Sequence, residues 1–338
     1  MNASRNLPDS YTGPGLVDLQ VNGCAGFDFN SAPADWTADA FRRVQAALRR
    51  RGVLVALPTL ITDDPERMVG RARKYAAIVQ EDAQLAQTFP KLHVEGPFVS
   101  PEDGPRGAHP RAFCRAPAQV PDLWPRLRDA SGGRIGVFTL APELPGAIEL
   151  IARLAEAGVL VGIGHTQASA ECLEEAVSAG ARIATHLGNG SHQMLPRLDN
   201  YVQAQLADDR LSASFIADGH HMPFSTLKNF LRAKTLGKSV LVSDATAAAD
   251  VGPGSYTLGG EEVVVSDTLR VSKPGQSNLA GSALTLDWAV INVCERCGID
   301  FSAAWAMASG TPATLLSMSP PRTISVTITP EGFRVGKS

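Results

Sequence analysis

The chain has 338 residues, of which 44% are hydrophobic and 19% charged, with a net charge of −3. That composition supports a sizeable core in one large domain, or one domain with an appendage, and it excludes the basic face of a nucleic-acid binder and a polybasic membrane patch. The polar N-terminus "MNASRNLPDSYTGP" has no apolar core of a signal peptide, no run of about 18 apolar residues occurs, and the five cysteines are scattered, so a cytoplasmic protein without a membrane span is expected.

The predicted elements alternate along the chain. In "PGLVDLQVNG", Pro14 and Gly15 break the chain, and Leu16, Val17 and Leu19 start an apolar run that predicts a buried strand. Its far end is polar, with Gln20 and Asn22 in alternate positions and so on one face. "PADWTADAFRRVQAALRRRG" predicts a helix with Asp35 or Thr37 as N-cap and Gly52 as its stop. "VLVALPTLI" is a second strand, followed by a helix from about Asp64 to Glu81. "KLHVEGPFVS" is a third strand, and the Pro- and Gly-rich loop "PEDGPRGAHPRAFCRAP" comes next. "IGVFTLAPE", "VLVGIGHTQ", "RIATHLGNG", "SASFIADGHH" and "SVLVSDATA" continue the series, with helices between most of them.

Short, continuous apolar runs in alternation with helices are the pattern of parallel strands buried on both faces. The fold expected is an α/β (β/α)8 TIM-like barrel over residues 14–316. An open doubly wound sheet is the second choice, weakened because no GxGxxG follows the first strand. Residues 255–275 are Gly-rich and alternating, which predicts a β-hairpin insertion. Helices are expected at 283–297 and 301–316, and a short β segment at 323–335. Cys294 and Cys297 form a CxxC inside the first of these helical patterns and are assigned to helix packing.

The polar residues gather at one kind of place. "HVEGP", "GIGHT", "ATHLGN", "IADGHH" and "VSDAT" all sit at the C-terminal ends of apolar runs, and in a barrel those ends form one face. Glu95, His165, His186, His221 and Asp244 therefore converge although they are far apart in sequence. His165 and His186 stand 21 residues apart, about one strand-helix unit, which puts them on neighbouring strands. Two His and one Glu are a catalytic zinc set with the fourth position left to water. Asp244 is placed as the base that orients that water and later protonates a leaving group. A single histidine at a strand end is more often a hydrogen-bonded structural residue, and Asp244 alone reads as a helix N-cap; it is the joint occurrence that points to a metal centre. His93 shares the face of Glu95 at a deeper level and is expected to be packed rather than a ligand.

"PGLVDLQVNG", "HVEGPF", "GAHP", "GHTQAS", "THLGN", "ADGHH", "SDATAAA" and "LAGSALTLD" occur in an order that resembles the N-acetylglucosamine-6-phosphate deacetylases of the amidohydrolase superfamily. The resemblance covers roughly residues 14–316. It implies Glu95, His165 and His186 as ligands of one divalent metal, with Zn2+ first and Fe2+, Co2+ or Mn2+ as alternatives. It implies Asp244 as the catalytic aspartate and His109 as a histidine beside the acetyl carbonyl. Asn189, Gly190 and His221 match positions that hold the sugar and its phosphate. Arg197 falls where the family has a phosphate-binding arginine that reaches the neighbouring subunit's site, which implies a homodimer. The implied reaction releases acetate from N-acetyl-D-glucosamine 6-phosphate. The same chemistry on N-acetylgalactosamine 6-phosphate or another N-acyl substrate stays open, and a non-catalytic sugar-phosphate-binding protein is the remote alternative. A dihydroorotase-like enzyme fits less well, because Gln20 and Asn22 stand where an HxH pair would be.

Three departures from the family pattern stand out. Little chain precedes Pro14 and the tail is short, so the small accessory β-sandwich is expected to be reduced, built from 255–275 and 323–335, or absent. Ser191 and His192 interrupt the usual asparagine-alanine-methionine-proline run, and His192 is either an added substrate contact or a surface residue. His220 replaces a small apolar residue; by alternation only one of His220 and His221 faces the site, and His221 is the choice.

Overall fold

The computed structural model describes residues 7–276 and 278–336. Strand β1 (Ser10–Pro14) leads into β2 (Leu16–Val21), and β3 (Gly23–Cys24) and β4 (Phe27–Asp28) form a small ribbon beyond it. There follow α1 (Ala38–Arg50), β5 (Val53–Ile61), α2 (Pro65–Glu81), α3 (Ala83–Thr88), β6 (Leu92–Glu95), α4 (Leu123–Ala130), β7 (Ile135–Leu140), α5 (Ala147–Glu156) and β8 (Leu160–Ile163). The alternation continues with α6 (Ala170–Ala179), β9 (Ala181–Ala184), α7 (Tyr201–Ala207), β10 (Ser212–Ile216), α8 (Phe224–Lys234) and β11 (Ser239–Val242). Beyond it lie β12 (Gly254–Leu258), β13 (Glu261–Val265), β14 (Val271–Ser272), α9 (Leu286–Cys297), α10 (Phe301–Met307), α11 (Gly310–Leu315), β15 (Thr323–Thr329) and β16 (Gly332–Val335).

β2 and β5 to β11 form one parallel sheet of eight strands in the order β11-β10-β9-β8-β7-β6-β5-β2. Its two ends meet just past β11, where the Asp244 N–H donates to Gln20 O at 3.0 Å and the Asn22 N–H to Ala245 O at 2.7 Å. These bonds nearly close the sheet into a barrel. Closure explains why β2 and β6 to β8 are buried at every position, since side chains on one face fill the barrel and those on the other meet the helices.

The helices begin where cap chemistry directs. Of the two N-caps considered for α1, it is Thr37 that accepts from the Ala40 N–H, at 3.2 Å. Asp64 caps α2 ahead of Pro65, a residue suited to the first turn because it has no N–H to leave unpaired. The helix expected at 301–316 is two helices, α10 and α11. Pro312 has no N–H for the carbonyl four residues earlier, so the ladder breaks near Ser309.

The β segments outside the barrel also differ from expectation. Residues 254–272 form a three-stranded meander, β12-β13-β14, instead of a simple hairpin. Residues 323–335 form β15 and β16, and β15 pairs antiparallel with β1 from Thr323 opposite Pro14 to Thr327 opposite Ser10. The sequence reading leaves β1 out. The two segments lie in separate three-stranded sheets with separate cores, Val263, Val265 and Val271 of the meander in one hydrophobic cluster and Ile324, Val326 and Phe333 of the other sheet in the barrel's. The meander is tied to the barrel mouth, where Asp28 Oδ2 accepts from the Gly259 N–H at 2.8 Å.

Candidate active site

A cavity of about 820 Å3 opens at the C-terminal ends of the barrel strands, and Glu95, His109, His165, His186, His221 and Asp244 all border it. Glu95 ends β6. His165, His186 and Asp244 lie two residues beyond the ends of β8, β9 and β11. All three have positive φ, at 53°, 31° and 50°. Such backbone costs about 1–3 kcal/mol per residue and persists only where surrounding packing over-determines it. Here it turns three side chains from the end of the barrel into one pocket.

Glu95 Oε1 is the hub. His186 Nε2 lies 2.8 Å from it, His165 Nε2 3.2 Å, and Gln20 Nε2 donates to it at 3.1 Å. His109 Nε2 lies 3.1 Å from His165 Nε2, while its Nδ1 meets Thr62 Oγ1 at 2.8 Å. His186 thus joins the cluster through Glu95, and His109 through His165. The ligand atoms of Glu95, His109 and His165 all lie within 4.8 Å of one another. Asp244 stands beside this group, its Oδ1 accepting from Asn22 Nδ2 at 2.7 Å.

The donor set fits a divalent cation. Pro105 O can only accept, so His165 Nδ1, 2.9 Å away, carries the ring hydrogen. The lone pair of neutral His165 then sits on Nε2, facing a carboxylate oxygen and a second imidazole nitrogen. An imidazole lone pair and a carboxylate oxygen that converge at 3.2 Å with no hydrogen between them are donors a cation would bridge. Donors bound at about 2.1 Å to one tetrahedral ion lie roughly 3.4 Å apart, close to the spacings found. Pro105, Gln20 and Thr62 orient the ligands from behind, as the outer partners of a metal site do. His186 Nδ1 is buried without a hydrogen-bond partner among the described residues.

The protonation states follow from burial and charge. Burial alone would raise the Glu95 carboxyl, but the His165 and His186 imidazoles against it hold it well below the usual range. The same contact raises His186 against its own burial. Burial pushes His109 down to about 3, and the neighbouring His165 adds to the effect. Asp244 is pushed up to about 6 by burial and then by the Glu95 charge.

The remaining predicted residues are placed differently from one another. Gly190, with φ of 56°, backs His165; a β-carbon there would lie 2.6 Å from His165 Nδ1. Asn189 borders the cavity, but its Nδ2 donates back to His186 O at 3.0 Å and holds that turn. His221 Nδ1 is 2.7 Å from Asp218 Oδ2. His220 borders the cavity as well, its Nε2 2.8 Å from Thr268 O on the meander side. The expectation that one of the pair faces away fails because residues 218–223 lie outside any strand, so strand alternation does not apply. Among the described residues Arg197 does not border the cavity. It is exposed, between Met194 at 91% and Leu198 at 80% exposure. His93 is packed as expected, its ring between Leu19 O at 3.0 Å and Thr139 Oγ1 at 2.8 Å. Sequence reasoning missed Thr62, Pro105 and Asp218. Asp218 was visible as an acidic residue at a strand end beside "GHH"; Thr62 and Pro105 carry no sequence signal.

An eight-stranded parallel barrel with a Glu/His cluster and an aspartate at the C-terminal strand ends is the arrangement of a (β/α)8-barrel enzyme, which carries its active site at that face. An enamidase structure described as a member of the amidohydrolase superfamily shares the fold, with a TM-score of 0.52 and 12% identity over 93% of this chain and 72% of that chain. No family model matches the chain. The human N-acetylglucosamine-6-phosphate deacetylase is 35% identical over 315 residues, 90% of this chain and 74% of the relative. The N-acetylgalactosamine-6-phosphate deacetylase of Escherichia coli O157:H7 is 33% identical over 331 residues, 95% of this chain and 84% of the relative. The structure of the Mycobacterium smegmatis N-acetyl-D-glucosamine-6-phosphate deacetylase D267A mutant, in complex with N-acetyl-D-glucosamine-6-phosphate, superposes with a TM-score of 0.87 and 28% identity, covering 97% of this chain and 86% of that one. The chain belongs to the N-acetylglucosamine-6-phosphate deacetylase family.

Proposed function

We propose that the chain hydrolyses the N-acetyl group of N-acetyl-D-glucosamine 6-phosphate, releasing acetate and glucosamine 6-phosphate. The observation that carries this reading is the juxtaposition of Asp244 with the Glu95-centred histidine cluster on the wall of one cavity. Glu95, His165 and His186 would hold one divalent ion, with zinc as the first choice for this nitrogen and carboxylate set. When bound, such an ion polarises the amide carbonyl and makes water a better nucleophile at neutral pH. Asp244, with Oδ1 held by Asn22, uses its other oxygen to take a proton from the attacking water and pass it to the amine as the C–N bond breaks. His109, held at Nδ1 by Thr62 Oγ1 at 2.8 Å, would donate from Nε2 to the oxygen on which negative charge develops. His221, Asn189 and Gly190 bound the sugar.

The exposed Met194 and Leu198 flanking Arg197 support a homodimer in which this loop packs on a second copy and Arg197 reaches its phosphate. The five free cysteines suit a reducing cytoplasm, and no described helix is long and apolar enough to cross a membrane. A second reading keeps the chemistry and changes the epimer to N-acetylgalactosamine 6-phosphate, favoured by the similarity to the E. coli enzyme of that specificity. Acetate release from both sugars, with and without the 6-phosphate and with and without chelator, decides between them. Chelator-sensitive turnover of the phosphorylated glucosamine derivative is expected to dominate. Absence of acetate from every N-acetylhexosamine would overturn the deacetylase reading.

A further inference from the structure

His192 stands where the family pattern departs, and its surroundings define it closely. The Tyr201 hydroxyl at the start of α7 accepts the His192 N–H at 2.9 Å and lies 3.0 Å from His192 Nδ1. One phenol oxygen therefore holds both the backbone and the ring. The ring passes over Gly104, whose φ is 98°; a β-carbon there would lie 2.9 Å from the His192 Cα and 3.2 Å from its Cδ2. Gly104 is thus the space that lets the imidazole lie along the cavity wall, which His192 borders. The segment runs outward from the catalytic cluster, since Gly190, two residues earlier, abuts His165.

We propose that His192 is a specificity-determining residue whose Nε2–H donates to an oxygen of the substrate's phosphate ester. This rests on the deacetylase reading above. Tyr201 accepts the backbone N–H and gives its own hydrogen to Nδ1, so neutral His192 carries its ring hydrogen on Nε2. Protonated His192 presents the same donor. Among the described residues Nε2 has no protein partner, and the Arg106 guanidinium on the same wall already gives Nη1 to His109 O and Nη2 to Asp103. With the acetamide against Glu95 and its histidines, the far end of the sugar runs past Gly190 toward His192. The phosphate there is the substrate's strongest acceptor. A donor pinned by Tyr201 loses little freedom on binding.

The test measures kcat and KM for wild type, H192A, H192Q and Y201F on N-acetylglucosamine with and without the 6-phosphate. A charge-assisted hydrogen bond of this kind corresponds to about a ten- to hundredfold change. H192A is expected to raise KM for the phosphorylated sugar by at least about tenfold with kcat within about twofold, and to change kcat/KM for the unphosphorylated sugar far less. H192Q, which keeps an N–H donor, is expected to recover part of the loss. Y201F, which removes only the hydroxyl, is expected to show a smaller loss in the same direction. Equal losses on both sugars, or no loss in both H192A and Y201F, would overturn the assignment. Should H192A fail to fold, Y201F and H192Q read the same discrimination. A wild type that releases acetate from neither sugar overturns the deacetylase reading and this assignment with it; a wild type that turns over while the variants fail to discriminate overturns only His192.

Discussion

Asn22 Nδ2 donates to Asp244 Oδ1 at 2.7 Å across the seam where the first and last strands of the barrel meet. The bond joins residues 222 positions apart and fixes one oxygen of the proposed base. It also favours the carboxylate, and so opposes the burial that raises the Asp244 pKa. Gln20, two residues earlier in β2, does the equivalent for Glu95 at 3.1 Å. The two amides of the first strand are therefore orienting groups. Asn22→Ala is expected to lower kcat by about ten- to hundredfold with a small change in KM, the measure of a hydrogen bond to a charged group. The acid limb of its pH–rate profile should move to higher pH. An unmoved limb would remove Asn22 from control of Asp244.

Asp244 acts as a base only when ionised. Its pKa is raised to about 6, so kcat/KM is expected to climb with pH through about 6 and level off above. Asp244→Asn should retain the metal while losing about 10²–10⁴-fold in kcat, the usual worth of a positioned acid–base group. Near-normal turnover in this variant would exclude Asp244 from the proton transfers.

Metal analysis is expected to find about one ion per chain, as three protein donors with the fourth position left to water suit a mononuclear site. His165→Ala and His186→Ala should each lose the ion, whereas His109→Ala should keep it and lose turnover. Retention by His186→Ala with loss from His109→Ala would reassign the ligand set to Glu95, His109 and His165, the group whose donor atoms cluster most closely.

Asp18 gives the fold a pH dependence separate from catalysis. It is buried, with Oδ2 unpartnered among the described residues, and burial raises its pKa from 3.8 to about 7. Folding therefore favours the protonated acid. Its contribution is complete below about pH 3.8, declines as pH rises to about 7, and stays low above. Asp18→Asn is expected to flatten this slope, so that urea midpoints of variant and wild type separate in the variant's favour between about pH 4 and about pH 8. Parallel midpoints across that range would show that Asp18 does not titrate on folding.

The loop bearing Arg197 should report on assembly. Replacing Met194 and Leu198 together by serine is expected to shift sedimentation toward monomer and, because Arg197 then loses its place, to raise KM for phosphorylated substrate. Arg197→Ala should raise that KM without changing the oligomer. Wild type sedimenting as a monomer with full activity would exclude the shared site.

The sequence by itself determined the barrel and the polar residues gathered at its mouth. A parallel strand buried on both faces must be an apolar run, and a strand-end residue must be polar to do chemistry, so both signals are local and survive in one dimension. Glu95, His165, His186, Asp244 and His221 were legible for that reason. The tertiary structure alone decided which groups meet. Gln20 with Glu95, Thr62 with His109, Pro105 with His165 and the pairing of β1 with β15 join segments distant in the chain, and no periodicity encodes them. They depend on how the sheet closes. Closure also set the fate of "PGLVDLQVNG": its two amides meet Glu95 and Asp244 because β2 is the strand that β11 meets.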